Sequence, residues 1–113
     1  MRWAVETLDE AVDAELEALP VSLRARMLRL MEMVENVGLE NMREPHVKHI
    51  EGKLWELRAK AADGIARGLY TTATGRRVIV LHVFVKKSQQ ISRRALEVAR
   101  QRLRKMKDTT AGG

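Results

Sequence analysis

A chain of 113 residues, 45% of them hydrophobic, is enough for one packed domain, and its lack of cysteine excludes disulfides, thiolate zinc sites and thiol nucleophiles. No long uncharged apolar run exists and MRWAVETLDE turns acidic where a signal peptide turns apolar, so no membrane span is expected and a cytoplasmic location is. The net charge of +6 hides a split, with nine acids against four bases in residues 1–40 and nine bases against one acid in residues 86–107. That asymmetry suits an oriented encounter with a polyanion, although a basic helix can also be merely solvated.

Taken along the chain, RWAVE at positions 2–6 is a short candidate strand. Thr7 and Glu10 have capping-box spacing, and Leu8, Val12, Leu16 and Leu19 then form a helical stripe. Pro20 resets the chain for a second helix to about Val37. Its buried stripe is Leu23, Met27, Leu30, Met31 and Val34, and Gly38 suits the position after its end. Such a methionine stripe reads as core packing. Residues 39–53 have no clear period and contain Pro45, so they are expected to be a connecting loop. His46, His49 and Glu51 lie close in sequence there, but no third well-spaced ligand completes a set, and no metal site is expected.

Three strands follow, LWELRAK, GIARGLY and RVIVLHVFVKK, with turn signals at Asp63-Gly64 and Thr74-Gly75. Simple alternation in the last puts Ile79, Leu81, Val83 and Val85 on one face. In the first, Trp55 and Leu57 share a face opposite Leu54, Glu56 and Arg58. Arg67 has the parity of Ile65 and Leu69. That conflict marks it as a sheet-end residue or a functional exception. A helix closes the pattern from about Ser92, a candidate N-cap, to Lys107, packed through Ala95, Leu96, Ala99, Leu103 and Met106. Residues 1–107 thus read as one α+β domain in the order β-α-α-β-β-β-α, with residues 108–113 a disordered tail.

The chemistry available in those strands is a set of Arg58, Arg67, Tyr70, His82, Lys86 and Lys87. No serine stands in a credible triad and no Gly-rich phosphate loop exists. Fixed cations suit metal-independent cleavage of RNA, in which the ribose 2′-hydroxyl attacks phosphorus and charge grows on the phosphoryl oxygens. His82 and Tyr70 are the candidate proton-transfer groups. Each residue also has an ordinary reading: Arg58 can pair with Glu56, His82 can be a satisfied sheet histidine, and Tyr70 can be core. On the final helix Arg93, Arg94, Arg100, Arg104 and Lys107 are the candidate contacts to RNA phosphates.

At LWELRAK, at GIARGLY with its Arg67 and Tyr70, and at LHVFVKKSQQIS leading into ALEVARQRL, the chain resembles RelE/ParE-superfamily toxins of the HigB-like, phage-derived branch. The likeness covers roughly residues 50–107. It implies a RelE-like fold: a small, mostly antiparallel sheet with two N-terminal helices on one side, an RNA-binding concavity on the other, and a basic C-terminal helix. It also implies an mRNA endonuclease acting on translating ribosomes, without a cofactor, and a cognate antitoxin that often carries a helix-turn-helix DNA-binding domain. By position, Arg58, Arg67, Lys86 and Lys87 match the basic site residues of that family. No aromatic residue follows Phe84, where RNA-cleaving relatives carry a tyrosine. Two other readings stay open: a ParE-like toxin that inhibits a topoisomerase without cleaving RNA, and a plain nucleic-acid-binding module.

Overall fold

The computed structural model describes residues 2–62, 64–86 and 90–112, with the side chains of Lys86 and of residues 107–112 outside that description. The elements in order are β1 (Ala4–Thr7), α1 (Glu10–Glu17), α2 (Val21–Val37), a 3-10 turn (Leu39–Asn41), β2 (Val47–Glu51), β3 (Leu54–Ala61), β4 (Gly64–Ala73), β5 (Arg77–Lys86) and α3 (Arg93–Gly112). The five strands form one sheet in the order β1-β5-β4-β3-β2. Only the β1–β5 pair is parallel. The expected α+β architecture is therefore present, with one strand more than the sequence pattern indicates.

That extra strand is β2, inside the segment expected to be a loop. It has five residues and its side chains run from buried Val47 through exposed Lys48 and His49 to half-buried Ile50. An edge strand this short and polar carries almost no periodic signal. The start of α1 also differs from the capping-box expectation. Asp9 is the N-cap, its carboxylate accepting the Val12 N–H at 3.2 Å, and Thr7 Oγ1 donates to Asp13 instead. The other helix signals behave as expected. Pro20 precedes α2, its carbonyl accepting from Arg24 N, and Gly38 ends the helix at φ 91°. Ser92 Oγ accepts from Ala95 N at the start of α3 as expected, but the helix runs on to Gly112, through residues 108–112 of the expected disordered tail.

Both faces of the sheet are covered. On one, Val12, Leu23, Met27, Leu30 and Val34 of α1 and α2 pack on Leu57, Ala59, Ala66, Tyr70, Val78, Val80 and Val83. On the other, Ala99 of α3 packs on Leu54, Leu69, Ile79 and Leu81, with Leu103 and Met106 beside it. Simple alternation along β5 fails at a register shift opposite Leu69 and Tyr70, where Tyr70 pairs with Val80 and Leu69 with His82. One extra residue on β5 moves Val83 onto the α1–α2 side together with Val78 and Val80, and leaves Ile79 and Leu81 under α3. Fully buried positions such as Leu57 and Val80 each cost about 2–5 kcal/mol, or for valine somewhat less, when cut back to alanine.

Candidate functional site

The β3–β4 pairing sets Arg58 directly opposite Arg67, and strand periodicity puts Glu56 on the same face as both. Two cations facing each other across a ladder repel. Glu56 resolves that conflict with one oxygen for each guanidinium. Its Oε2 lies 2.8 Å from Arg67 Nη1 and its Oε1 lies 3.4 Å from Arg58 Nε. Glu56 is 0% exposed, Arg67 2% and Arg58 21%. Arg67 is therefore neither a sheet-end residue nor open to solvent. It is a mid-strand residue whose charge is buried against a carboxylate, and Arg58 is the member of the trio that reaches the surface.

Arg58 also lines a cavity of about 530 Å³ beside the end of β3, with Arg26, Arg29 and Met33 of α2, His46 and Lys60. Arg26 and Arg29 belong to no motif in the sequence, and Lys60 is the last residue of LWELRAK but does not stand out there. Their one visible signal is a pair of exposed arginines on α2, off its apolar stripe. His49, the other histidine of that segment, binds the Gly52 carbonyl at 2.8 Å and packs on Trp55.

His82 and Tyr70 are not gathered with Arg58. His82 Nδ1 lies 3.0 Å from Glu15 Oε1, and its ring stacks on Phe84. Glu15 also accepts the Val83 N–H and the Arg102 guanidinium, and Arg102 donates to the Leu81 carbonyl. β1 pairs with β5 only as far as Val80, so Glu15 and Arg102 take up backbone groups of β5 where its neighbour strand has ended. No local sequence signal marks this clasp, since its parts come from α1, β5 and α3. Tyr70 is fully buried on the α1–α2 side, on the face opposite Arg67. Its hydroxyl has no hydrogen-bond partner among the described residues, and burial drives the phenol well above its usual range.

Lys86 ends β5 opposite Ile65, while Lys87 lies outside the described residues. On α3, Arg93, Arg94 and Arg104 are exposed. Arg100 is committed to protein contacts, at 2.7 and 2.8 Å to the two Glu51 oxygens and 2.9 Å to Glu97. These bonds raise the Arg100 pKa and hold the Glu51 carboxyl below the usual carboxylate range. Among the described residues no group of three or more His, Asp or Glu side chains is placed to hold a metal ion. No described helix is long and apolar enough to cross a membrane.

This strand order, with two helices on one face and one on the other, is a RelE-like architecture. The fold superposes on a chain from the crystal structure of the archaeal RelE–RelB complex of Pyrococcus horikoshii OT3 with a TM-score of 0.57, at 22% identity, covering 80% of this chain and 100% of that one. Residues 14–104 match the family model described as Phage derived protein Gp49-like (DUF891). The chain belongs to that Gp49-like family, which bears out the resemblance to the phage-derived branch of the RelE superfamily. No curated protein sequence matches it.

Proposed function

We propose that the chain is the toxin of a type II toxin–antitoxin pair and cleaves mRNA on the ribosome without a metal. The observation that carries this reading is the Arg58 guanidinium, 21% exposed and ion-paired at 3.4 Å with a buried carboxylate that Arg67 compensates from the neighbouring strand. Such an arrangement gives a fixed donor for a phosphoryl oxygen with little reorganisation on binding. Arg67 acts from the neighbouring strand. It compensates Glu56, and through it fixes Arg58, rather than touching the phosphate.

In the reaction the 2′-hydroxyl loses its proton as its oxygen bonds to phosphorus. The bond to the 5′-oxygen breaks, and that oxygen takes up a proton as it leaves. The products are a 2′,3′-cyclic phosphate and a 5′-hydroxyl. Alignment of the two oxygens on the ribosome supplies much of the rate. Lys86 and Lys87 hold neighbouring phosphates, and Arg93, Arg94, Arg104 and Lys107 face ribosomal RNA. The partner in the pair is an antitoxin with a helix-turn-helix DNA-binding domain.

A second reading, a toxin of the same fold that inhibits a topoisomerase by protein contact, is favoured by the engagement of His82 with Glu15 and by the burial of Tyr70. These leave neither proton-transfer candidate beside Arg58. Mapping new 5′ ends in cellular mRNA after brief induction separates the two readings. In-frame cuts within translated messages, lost in Arg58→Ala, support the nuclease. Growth arrest with DNA damage and intact messages supports the topoisomerase inhibitor.

A further inference from the structure

The outer face of α2 differs from that of the other helices. Six large apolar side chains stand exposed among the described residues, and four of them, Val21, Leu28, Met33 and Val37, lie on this helix. Neither α1 nor the described side chains of α3 include one. At about 3.6 residues per turn, the buried stripe of α2 faces the sheet, and Ala25, Arg29, Glu32 and Asn36 fall on the opposite side. All four are exposed, and with Leu28 and Met33 they line a shallow groove along the helix.

The steps from Ala25 to Arg29, Glu32 and Asn36 are four, three and four residues, the same read in either direction. The set is therefore symmetric about the level between Leu30 and Met31. An antiparallel copy of the helix, related by a dyad at that level, sets Arg29 against Glu32 of the second copy and Ala25 against Asn36 of the second copy. Each contact then occurs twice, as an isologous interface requires. Leu28 and Met33 flank the seam on opposite sides, equally far from the dyad, so each approaches its own mate. A parallel copy in register would set Arg29 on Arg29 and Glu32 on Glu32, and the charges thus select the antiparallel arrangement. Within one helix the favourable order puts the acid before the base, the reverse of Arg29 and Glu32. The two form no ion pair with each other in this chain.

We infer that the outer face of α2 is a self-association surface. Two copies of this chain pair through it, antiparallel about a twofold axis between Leu30 and Met31, and exchange Arg29–Glu32 ion pairs across the axis. The small Ala25 side chain lets the helices approach to the usual interaxial distance of about 8–10 Å. One helix of 17 residues from each copy buries less than the roughly 1,200–2,000 Å² of a standard interface, so the dimer is weak, with a Kd of about micromolar. Arg29 and Met33 also line the cavity beside Arg58, so pairing brings the second copy to the edge of that cavity. The inference stands on the face of α2 alone and needs neither the toxin reading nor cleavage.

The test is sedimentation velocity on the full chain over a concentration series of about 1–100 μM. The wild type shifts from monomer to dimer across it. Arg29→Glu alone, or Glu32→Arg alone, sets like charges together at both symmetric contacts and weakens the dimer by about tenfold or more. Mixed in equal amounts, the two variants associate as the wild type does, because each offers the charge that the other lacks. The double variant Arg29→Glu, Glu32→Arg also dimerises on its own, which keeps the test decisive if a single variant misfolds. A wild type that stays monomeric throughout overturns the inference. So does a dimer indifferent to both single changes, or one that neither the mixture nor the double variant restores. A monomeric chain that instead binds a different protein through Leu28 and Met33 gives this face to that protein and overturns self-association.

Discussion

Arg67 Nη1 lies 2.8 Å from Glu56 Oε2 in a setting that leaves neither side chain more than 2% exposed. Removing one partner of such a pair strands the other charge away from water, which costs about 3–5 kcal/mol. Arg67→Ala is therefore expected to destabilise the whole domain by that amount, measured by urea unfolding. The double change Glu56→Leu, Arg67→Met, which removes both charges at similar volume, costs much less. An Arg67→Ala variant as stable as the wild type would mean that Glu56 does not depend on this guanidinium for compensation.

Arg100 ties α3 to the edge strand β2 through Glu51. The guanidinium holds the Glu51 carboxyl below its usual range, chiefly through their hydrogen bonds. A carboxyl depressed in the folded state contributes stability above its unfolded pKa of about 4.3, and that contribution is lost as pH falls through the folded value. Arg100→Gln is expected to lower stability at pH 7, with the two proteins converging in acid. Parallel stability curves across that range would show that the pair is not linked to folding.

Helices α2 and α3 and strands β3–β5 are legible in the sequence because their apolar periods are long and the helix boundaries carry Pro20, Gly38 and Ser92. β2 is not, because a five-residue polar edge strand depends on its partner for definition. The register of β5 is not either, since a bulge is set by the pairing with β4 and leaves Val78–Val85 looking like plain alternation. In the site, the odd parity of Arg67 is visible, but its cause is not. The carboxylate that accounts for it sits eleven residues earlier, on the neighbouring strand. The same limit hides the Glu15–Arg102 clasp, whose members lie 87 residues apart.

Arg93, Arg94 and Arg104 are exposed on α3, whereas Arg100 is held by Glu51 and Glu97. Replacing the three exposed arginines with glutamine should weaken ribosome association and flatten its salt dependence, by about 0.7–0.9 in the log–log slope for each phosphate no longer neutralised. Arg100→Gln should change that slope less. Ribosome pelleting across a salt series measures both. An equal effect of Arg100→Gln would place that guanidinium on RNA instead of on β2.

The most direct measurement of the central claim uses ribosomes programmed with an mRNA carrying a single 2′-deoxy nucleotide on the 5′ side of the mapped cut. The proposed reaction draws its nucleophile from that 2′-hydroxyl, with Arg58 stabilising the phosphoryl charge, so cleavage at that bond stops while unmodified sites are still cut. Because ribosomes themselves need magnesium, a change at the sugar is cleaner than chelation. Continued cleavage at the deoxy position would contradict the account and assign the attack to water.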